Sequence, residues 1–340
     1  MDDRIRHHWA AFKESPFVPA AVLVLIVSAG AGLFAGSYTY AMANPTPHRI
    51  PVAVVGVTHE TVRGEAFAAG MEQALDASLD LTYQPSLAAA LQLVEEQRVF
   101  GILVVRGSDV RLDVSGAAGA SVAQVLTEAA PQVAARIGVR LTVRDIKPLQ
   151  RGDPRGLALF YITLAAVVMG FIGAVQLSVH ASELSPWERI AAVAAYAGLG
   201  ALAIVAIVDW VLGALHLPVP ESWFILALTM FTSGMVFTMF NTLVGRWAMV
   251  PTWGLMVLLG NPSSGGAVSW PLLPSPLGAI GRWLPPGASV NAQHTAVYFS
   301  GHQRLMPYLV LAVWALGSMA VFLRYRERHP GPRARHRTGS

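Results

Sequence analysis

The sequence predicts a polytopic α-helical membrane protein: six transmembrane helices, with an extracytoplasmic α/β domain inserted between the first and the second. Three observations predict it. Residues 17–43 are apolar, residues 45–155 are not, and from 156 to 323 uncharged runs follow one another with only short breaks. Charged residues make up only 13% of the 340, and mean hydropathy is +0.50, whereas a soluble surface of this size carries far more charge. Basic residues flank both ends. Arg4, Arg6 and Lys13 precede the first apolar run, and Arg324, Arg326, Arg328, Arg333, Arg335 and Arg337 follow the last.

A helix needs about 20 apolar residues to cross the hydrocarbon core. Residues 17–38, 157–179, 190–212, 223–244 and 305–323 meet this. The uncharged run after Arg246 begins like a span at 247–259, then breaks into Asn261-Pro262-Ser263-Ser264-Gly265-Gly266. It reads as a short fifth span followed by a re-entrant outer segment within 255–300. Basic flanks belong on the cytoplasmic side, so both termini are expected in the cytoplasm, and six spans satisfy that parity. Arg189 and Arg246 then fall at cytoplasmic turns, and the turn between the third and fourth spans carries no Lys or Arg. The chain divides into a cytoplasmic amphipathic segment (1–15), the first span (16–43), the outer domain (44–155), a five-helix region (156–324) and a basic cytoplasmic tail (325–340). Ala41-Met42-Ala43 resembles a signal-peptidase site, but the apolar stretch before it exceeds the ~7–15 residues of a signal core, so an uncleaved anchor is expected. Lysine occurs only at Lys13 and Lys147 while arginine, alanine and glycine abound. That is the bias of a GC-rich bacterial genome, so the membrane expected is the bacterial plasma membrane.

In the polar stretch, 50–57 is a compact valine-rich run and predicts a buried strand. Thr58 can cap a helix to about residue 75. A short strand at 79–83 follows, then a helix capped by Ser86 whose Leu87, Leu91 and Val94 share a face. A buried strand at 100–105, a half-wet strand at 110–114, a helix at 122–137 and a strand at 139–143 complete the pattern. Alternating strands and helices imply a small α/β domain with a mixed or parallel sheet.

The residue inventory excludes several chemistries. With no cysteine, disulfides, thiolate metal sites and cysteine nucleophiles are out. No His-Glu-x-x-His, paired-carboxylate helix motif or Gly-x-Ser-x-Gly elbow occurs, so no catalytic or metal residue is assigned. His59, Glu60 and Glu65 sit where a helix starts and are read as dipole partners, and Glu95-Glu96 as a solvated face. Neither lysine follows a glycine, so no Walker A loop is present and any ATP must come through another subunit. Asp209, beside Trp210, is the main intramembrane ionisable candidate and reads as an interfacial anchor, as does His180. Asn241 can hydrogen-bond between helices. The basic excess lies largely in the tail, which favours orientation over nucleic acid.

Three segments carry more signal. Residues 4–13, with Trp9 and Phe12, can lie on the inner surface as an amphipathic helix. Ser182-Glu183-Leu184-Ser185-Pro186-Trp187-Glu188-Arg189 predicts a helix capped by Ser185, with Pro186 at its first position and Glu188 in its first turn. It suits a docking element or a plain start to the third span equally. The late segment joins the Asn261–Gly266 turn to Trp270-Pro271-Leu272-Leu273-Pro274 and Leu284-Pro285-Pro286-Gly287-Ala288, ending at Tyr298-Phe299. Between the turns Leu277, Ile280, Trp283 and Leu284 can share a helical face. Irregular apolar backbone of this kind must be buried in protein or lie at the interface.

These residues resemble the membrane subunit of type-2 ABC exporters (ABC-2 type permeases), in the branch of phage-infection-protein-like and DUF3533-like membrane proteins. The likeness rests on Asn261-Pro262-x-Ser264-Gly265-Gly266, on Leu284-Pro285-x-Gly287-Ala288, on Tyr298-Phe299 before the last span, and on the layout. It implies a homodimer, or a heterodimer with a related permease, embedded in membrane lipids and driven by two cytosolic ABC ATPase subunits. No cofactor is bound by this chain, and ATP acts through the partner. Carried over by position, Glu183, Ser185, Pro186, Trp187, Glu188 and Arg189 form the ATPase-coupling element. Asn261, Pro262, Ser264, Gly265, Gly266, Leu284, Pro285, Gly287 and Ala288 belong to the outer gate. Related domains often carry Asn or Asp after the first strand, where this chain has Gly56-Val57-Thr58. Spans without a charged path suit a hydrophobic or amphipathic cargo (lipid, peptide or drug). The alternative is a non-transporting envelope receptor or scaffold whose outer domain binds partners.

Overall fold

The computed structural model describes residues 17–43, 45–56 and 62–329. The expected surface helix before residue 16, the Thr58 cap with His59 and Glu60, and Arg333, Arg335 and Arg337 lie outside them.

The first element is α1 (Phe17–Met42), an unbroken apolar helix. Then come β1 (Ile50–Val55), α2 (Val62–Leu75), β2 (Leu79–Gln84), α3 (Leu87–Glu95), β3 (Gly101–Arg106), β4 (Asp109–Val114), α4 (Ala120–Ile137) and β5 (Arg140–Asp145). The five strands form one mixed sheet in the order β2-β1-β3-β4-β5. β1 runs parallel to β2 and β3, β3 and β4 make an antiparallel hairpin, and β5 returns parallel to β4. Central β3 (Gly-Ile-Leu-Val-Val-Arg) is buried over its first five residues, because helices cover both faces. Alternate residues serve opposite sides. Leu103 and Val105 join Phe67, Met71, Leu126 and Val133 of α2 and α4, whereas Ile102 and Val104 join Ala90, Leu93 and Val94 of α3.

Ser86 caps α3 as expected, accepting from the Ala89 amide at 3.2 Å. The buried stripe of α3 is rotated from expectation. It centres on Ala90, Leu93 and Val94, and Leu91 is 39% exposed. Small residues on both sides, Ala90 and Ala53, belong to that core, and the helix turns its alanine rather than its second leucine to the sheet.

The second half holds α5 (Ala158–His180), α6 (Pro186–Val205, continuing as a π-helical turn Ala206–Val211), α7 (Val219–Val244), α8 (Met249–Trp253, continuing as a π turn Gly254–Leu259), α9 (Ser275–Ile280), α10 (Pro285–Tyr298) and α11 (Leu305–Arg328). Among the described residues five helices, α1, α5, α6, α7 and α11, are long and apolar enough to cross a membrane, and the apolar stretch Met249–Leu259 is shorter. The expected fifth span is therefore a brief α-helix that widens into a π turn. α11 runs on past the expected end at 323, carrying Arg324, Arg326 and Arg328.

α7 is the hub, packed by α5, α6, α10 and α11. The hydroxyls of Thr229, Thr232, Ser233 and Thr238 in its interior are satisfied locally or across helices, whereas the buried Ser222 hydroxyl has no partner among the described residues. Thr238 donates to Gly234 O at 2.8 Å, and Ser233 donates to Val167 O of α5 at 2.7 Å. At that crossing a Cβ on Gly170 would stand 2.5 Å from Met230 O. Small residues here let the backbones touch, which is how helices associate where lipid offers no hydrophobic drive. α1 stands apart, with none of its most apolar window buried. It is held through Phe34 against Trp253 (centroids 6.1 Å) and Ser37 donating to Leu258 O at 2.6 Å.

Candidate functional site

After α8 the chain enters the segment that the sequence marks most strongly. Asn261, Pro262, Ser263 and Ser264 are all buried, one of the two placements expected for irregular apolar backbone. Asn261 donates from Nδ2 to the Tyr38 hydroxyl of α1 at 2.8 Å. Ser263 donates to Leu259 O at 2.7 Å, and its own carbonyl accepts from Trp270 Nε1 at 3.1 Å. Against the same carbonyl lies Gly281, where a Cβ would stand 1.7 Å from Ser263 O, and against Gly281 O lies Gly287, at 2.1 Å by the same measure. The two motifs, Asn261–Gly266 and Leu284–Ala288, thus meet through stacked backbone, with Gly281 between them.

That stacking overturns one expectation. Leu277, Ile280, Trp283 and Leu284 do not share a buried face: Ile280 is 43% and Trp283 52% exposed, whereas Gly278, Gly281 and Leu284 are buried. The close contact with Ser263 requires Gly281 to face inward, which turns Ile280 and Trp283 out, while Leu277 packs against the sheet core.

The segment also enters the α/β core. Val268, Leu272 and Leu273 are buried in the cluster formed by α2, α4 and the sheet. Backbone amides of Thr46 and His48 donate to Leu272 O and Pro271 O at 3.2 and 2.7 Å, and Ser269 N donates to Ser121 Oγ at 2.9 Å. Farther round, Gln97 Nε2 donates to Thr295 Oγ1 at 3.0 Å, Arg304 donates to the carbonyls of Glu96 and Gln97, and Lys147 Nζ lies 4.4 Å from the Phe299 ring centroid. The sheet layer and the irregular segment are therefore one packed body.

Between them opens a cavity of about 1320 Å³, above the 300–1,000 Å³ usual for small-ligand pockets. Its walls mix Phe100, Trp270, Trp283 and Met306 with four guanidinium groups, those of Arg98, Arg155, Arg282 and Arg304. Three carboxylates also line it, and each is engaged by neutral donors. Asp145 accepts from the amides of Gly116 and Lys147 (both 3.1 Å), Asp153 caps α5 through Leu157 and Ala158 (3.0 and 2.9 Å), and Glu128 accepts from Gln124 (2.9 Å). Of the arginines, Arg98 has a carboxylate neighbour, Glu96 at 3.6 Å, and Arg282 lies over the Trp270 ring at 5.7 Å. The result is an amphipathic, net cationic chamber. His294 on its wall is held neutral, its pKa lowered to about 4 by burial and by the Arg304 charge.

At the opposite end of the bundle, Ser185 and Glu188 form a complete capping box: Ser185 N donates to Glu188 Oε2 at 2.8 Å and Glu188 N to Ser185 Oγ at 3.3 Å. Pro186 takes the first helical turn. Trp187 is 66% exposed. Arg189 differs from its neighbours, being buried with Nη2 donating back to Ala181 O at 3.1 Å, so it ties the turn rather than presenting a charge. The Ser185-to-Arg189 stretch thus presents Trp187 and Glu188 on a rigid turn.

Asp209 accepts from Leu217 N at 3.2 Å and lies 3.6 Å from His216 Nδ1, closing the turn after α6. Asn241, which the sequence offers for a bond between helices, makes no side-chain hydrogen bond among the described residues. Sequence reasoning did not single out Arg155, Arg282 or Arg304 as site residues. The signal was present: between 156 and 323 the arginines and lysines are Arg189, Arg246, Arg282 and Arg304, and the last two line the cavity beside the sheet layer. Compared with protein-family models, curated proteins and solved structures, the chain finds no match.

Proposed function

We propose that this chain is the permease half of a type-2 ABC exporter, moving a hydrophobic or amphipathic substrate outward across a bacterial plasma membrane under the power of a separate ATPase. In this reading Met249–Leu259 is the short fifth span, which brings the membrane elements to six, both termini are cytoplasmic and the sheet layer is extracytoplasmic. The observation that carries it is the joining of Asn261–Gly266 to Leu284–Ala288 through Gly281. Two proline-glycine motifs that are distant in sequence form one buried plug at the end of the short helix, under the cavity, where an exit gate belongs. Trp187 and Glu188, exposed on a capped turn at the other end, supply a contact for an ATPase that the chain itself does not encode. The segment that joins the two motifs is packed into the core of the sheet layer through Val268, Leu272 and Leu273. That coupling favours a gate component over the receptor reading, in which the domain would be a tethered binding module.

The test is gentle purification from the native membrane followed by probing for a nucleotide-binding partner. A bound P-loop ATPase is expected, with Trp187→Ala and Glu188→Ala lowering both its recovery and cargo efflux at least tenfold. A chain that purifies without any ATPase, and whose efflux is indifferent to both substitutions, would remove the proposal.

A further inference from the structure

A second hollow lies along the bundle surface. It is an open groove of about 860 Å³ between α5 and α6, floored by Met230 of α7. On α5 its wall is the row Tyr161, Ala165, Met169, Gly173, Leu177 and His180. Residues spaced by three or four stand one above another on a helix, and from Tyr161 to His180 that row covers about 29 Å at 1.5 Å per residue, close to the whole hydrocarbon thickness. Glycines let its walls pack closely on each other and on its floor, since a Cβ on Gly173 would stand 2.7 Å from the Tyr196 ring and one on Gly200 2.5 Å from Met230. The row does not end at Tyr161. One turn earlier it reaches Leu157, whose carbonyl accepts from Tyr161 N at 3.0 Å and whose side chain lines the arginine-bearing cavity. Arg155 stands exposed at that junction without a partner among the described residues.

We infer that the cavity and the groove are two parts of one site for an anionic two-chain lipid, with the phosphate headgroup among Arg155, Arg282 and Arg304 and an acyl chain lying along the α5–α6 groove. Charge complementarity selects this occupant. The cavity carboxylates are already engaged by amides, whereas no carboxylate pairs with Arg155, Arg282 or Arg304 at ion-pair distance among the described residues. Arg282 lies over the Trp270 ring, and Arg304 donates only to the Glu96 and Gln97 carbonyls. Arginine is also the side chain whose fork matches phosphate. Basic pockets beside transmembrane helices hold anionic headgroups in this way. A wholly apolar ligand would leave these cations desolvated without compensation, and a free anion would leave the groove unused. The inference deepens the exporter reading, on which it rests for the outward placement of the cavity, by naming the class of cargo.

The experiment measures binding of tritiated phosphatidylglycerol to the purified full chain in neutral maltoside micelles. Phosphatidylcholine with the same chains and inorganic phosphate serve as competitors. Phosphatidylglycerol is expected to compete at least ~10-fold better than phosphatidylcholine, and phosphate not at all. Arg155→Gln with Arg282→Gln should weaken phosphatidylglycerol about tenfold, towards the phosphatidylcholine level, and the paired lysine variants should retain most of the selectivity. Ala165→Trp, which fills the groove, should weaken both lipids. Both arginines are exposed, so unchanged thermal unfolding without lipid is the folding control. Equal competition by phosphatidylcholine, competition by phosphate, or full affinity in the glutamine variants would overturn the inference. No ATPase enters the assay. Loss of selectivity therefore counts against the lipid site alone, and a missing ATPase partner counts against the permease reading alone.

Discussion

Gly281 shows how much a single residue decides. Its α-carbon sits on the Ser263 carbonyl, and a methyl group there has no room at 1.7 Å. Overpacking of this kind costs about 1–3 kcal/mol or more, so Gly281→Ala should lower the thermal midpoint in detergent by several degrees. Gly317→Ala on α11 is the matched control. Nothing lies within 4 Å of a Cβ there, and it should be neutral or slightly stabilising. His294 gives a pH-dependent counterpart. Its folded pKa of about 4 lies below the unfolded value of about 6.5, so the unfolded chain takes up the proton first. The stability it contributes is complete above about pH 6.5 and is lost as pH falls towards 4. Midpoints measured between pH 7 and 4.5 should fall, and His294→Gln should flatten part of that slope. Both residues were hard to read from sequence for the same reason. A glycine or histidine acquires its role from a neighbour well outside its own helical turn, such as Ser263 or Arg304, and spacing does not report that.

At the scale of elements, legibility followed locality. The long helices were visible because a run of about 20 apolar residues is a local property, and α5 begins and ends within a residue of its expected bounds at 157 and 179. The Ser185–Glu188 box was equally legible, since cap and partner are three residues apart. Ser185→Ala should cost about 1 kcal/mol and shift the unfolding midpoint, whereas Trp187→Ala, removing a side chain that is 66% exposed, should leave the midpoint in place and act on partner binding. The late segment was read as irregular and either buried in protein or lying at the interface, but its internal arrangement was not legible. Which side of α9 faces inward depends on the Gly281–Ser263 contact, and which core receives Val268 and Leu272 depends on α2 and α4. The π turns closing α6 and α8 had no sequence signature at all.

For the whole molecule, parity and charge placement predict sides that labelling can check. The chain contains no cysteine, so single cysteines report without background. Tyr83→Cys on exposed β2 should react with an impermeant maleimide in intact cells, and Trp187→Cys only after the membrane is opened. The reverse pattern, or two residues on one side, would break the topology. The central claim is that an ATPase docks at the capped turn opposite the sheet layer. A photo-crosslinking amino acid in place of Trp187 tests it most directly, with the crosslinked species assayed for ATP binding and sequenced. A crosslink to a Walker-A-containing ATPase, lost when Glu188 is changed to Ala, is the expected result. A crosslink only to lipid or to a second copy of this chain, with no ATP-binding species formed, would contradict it.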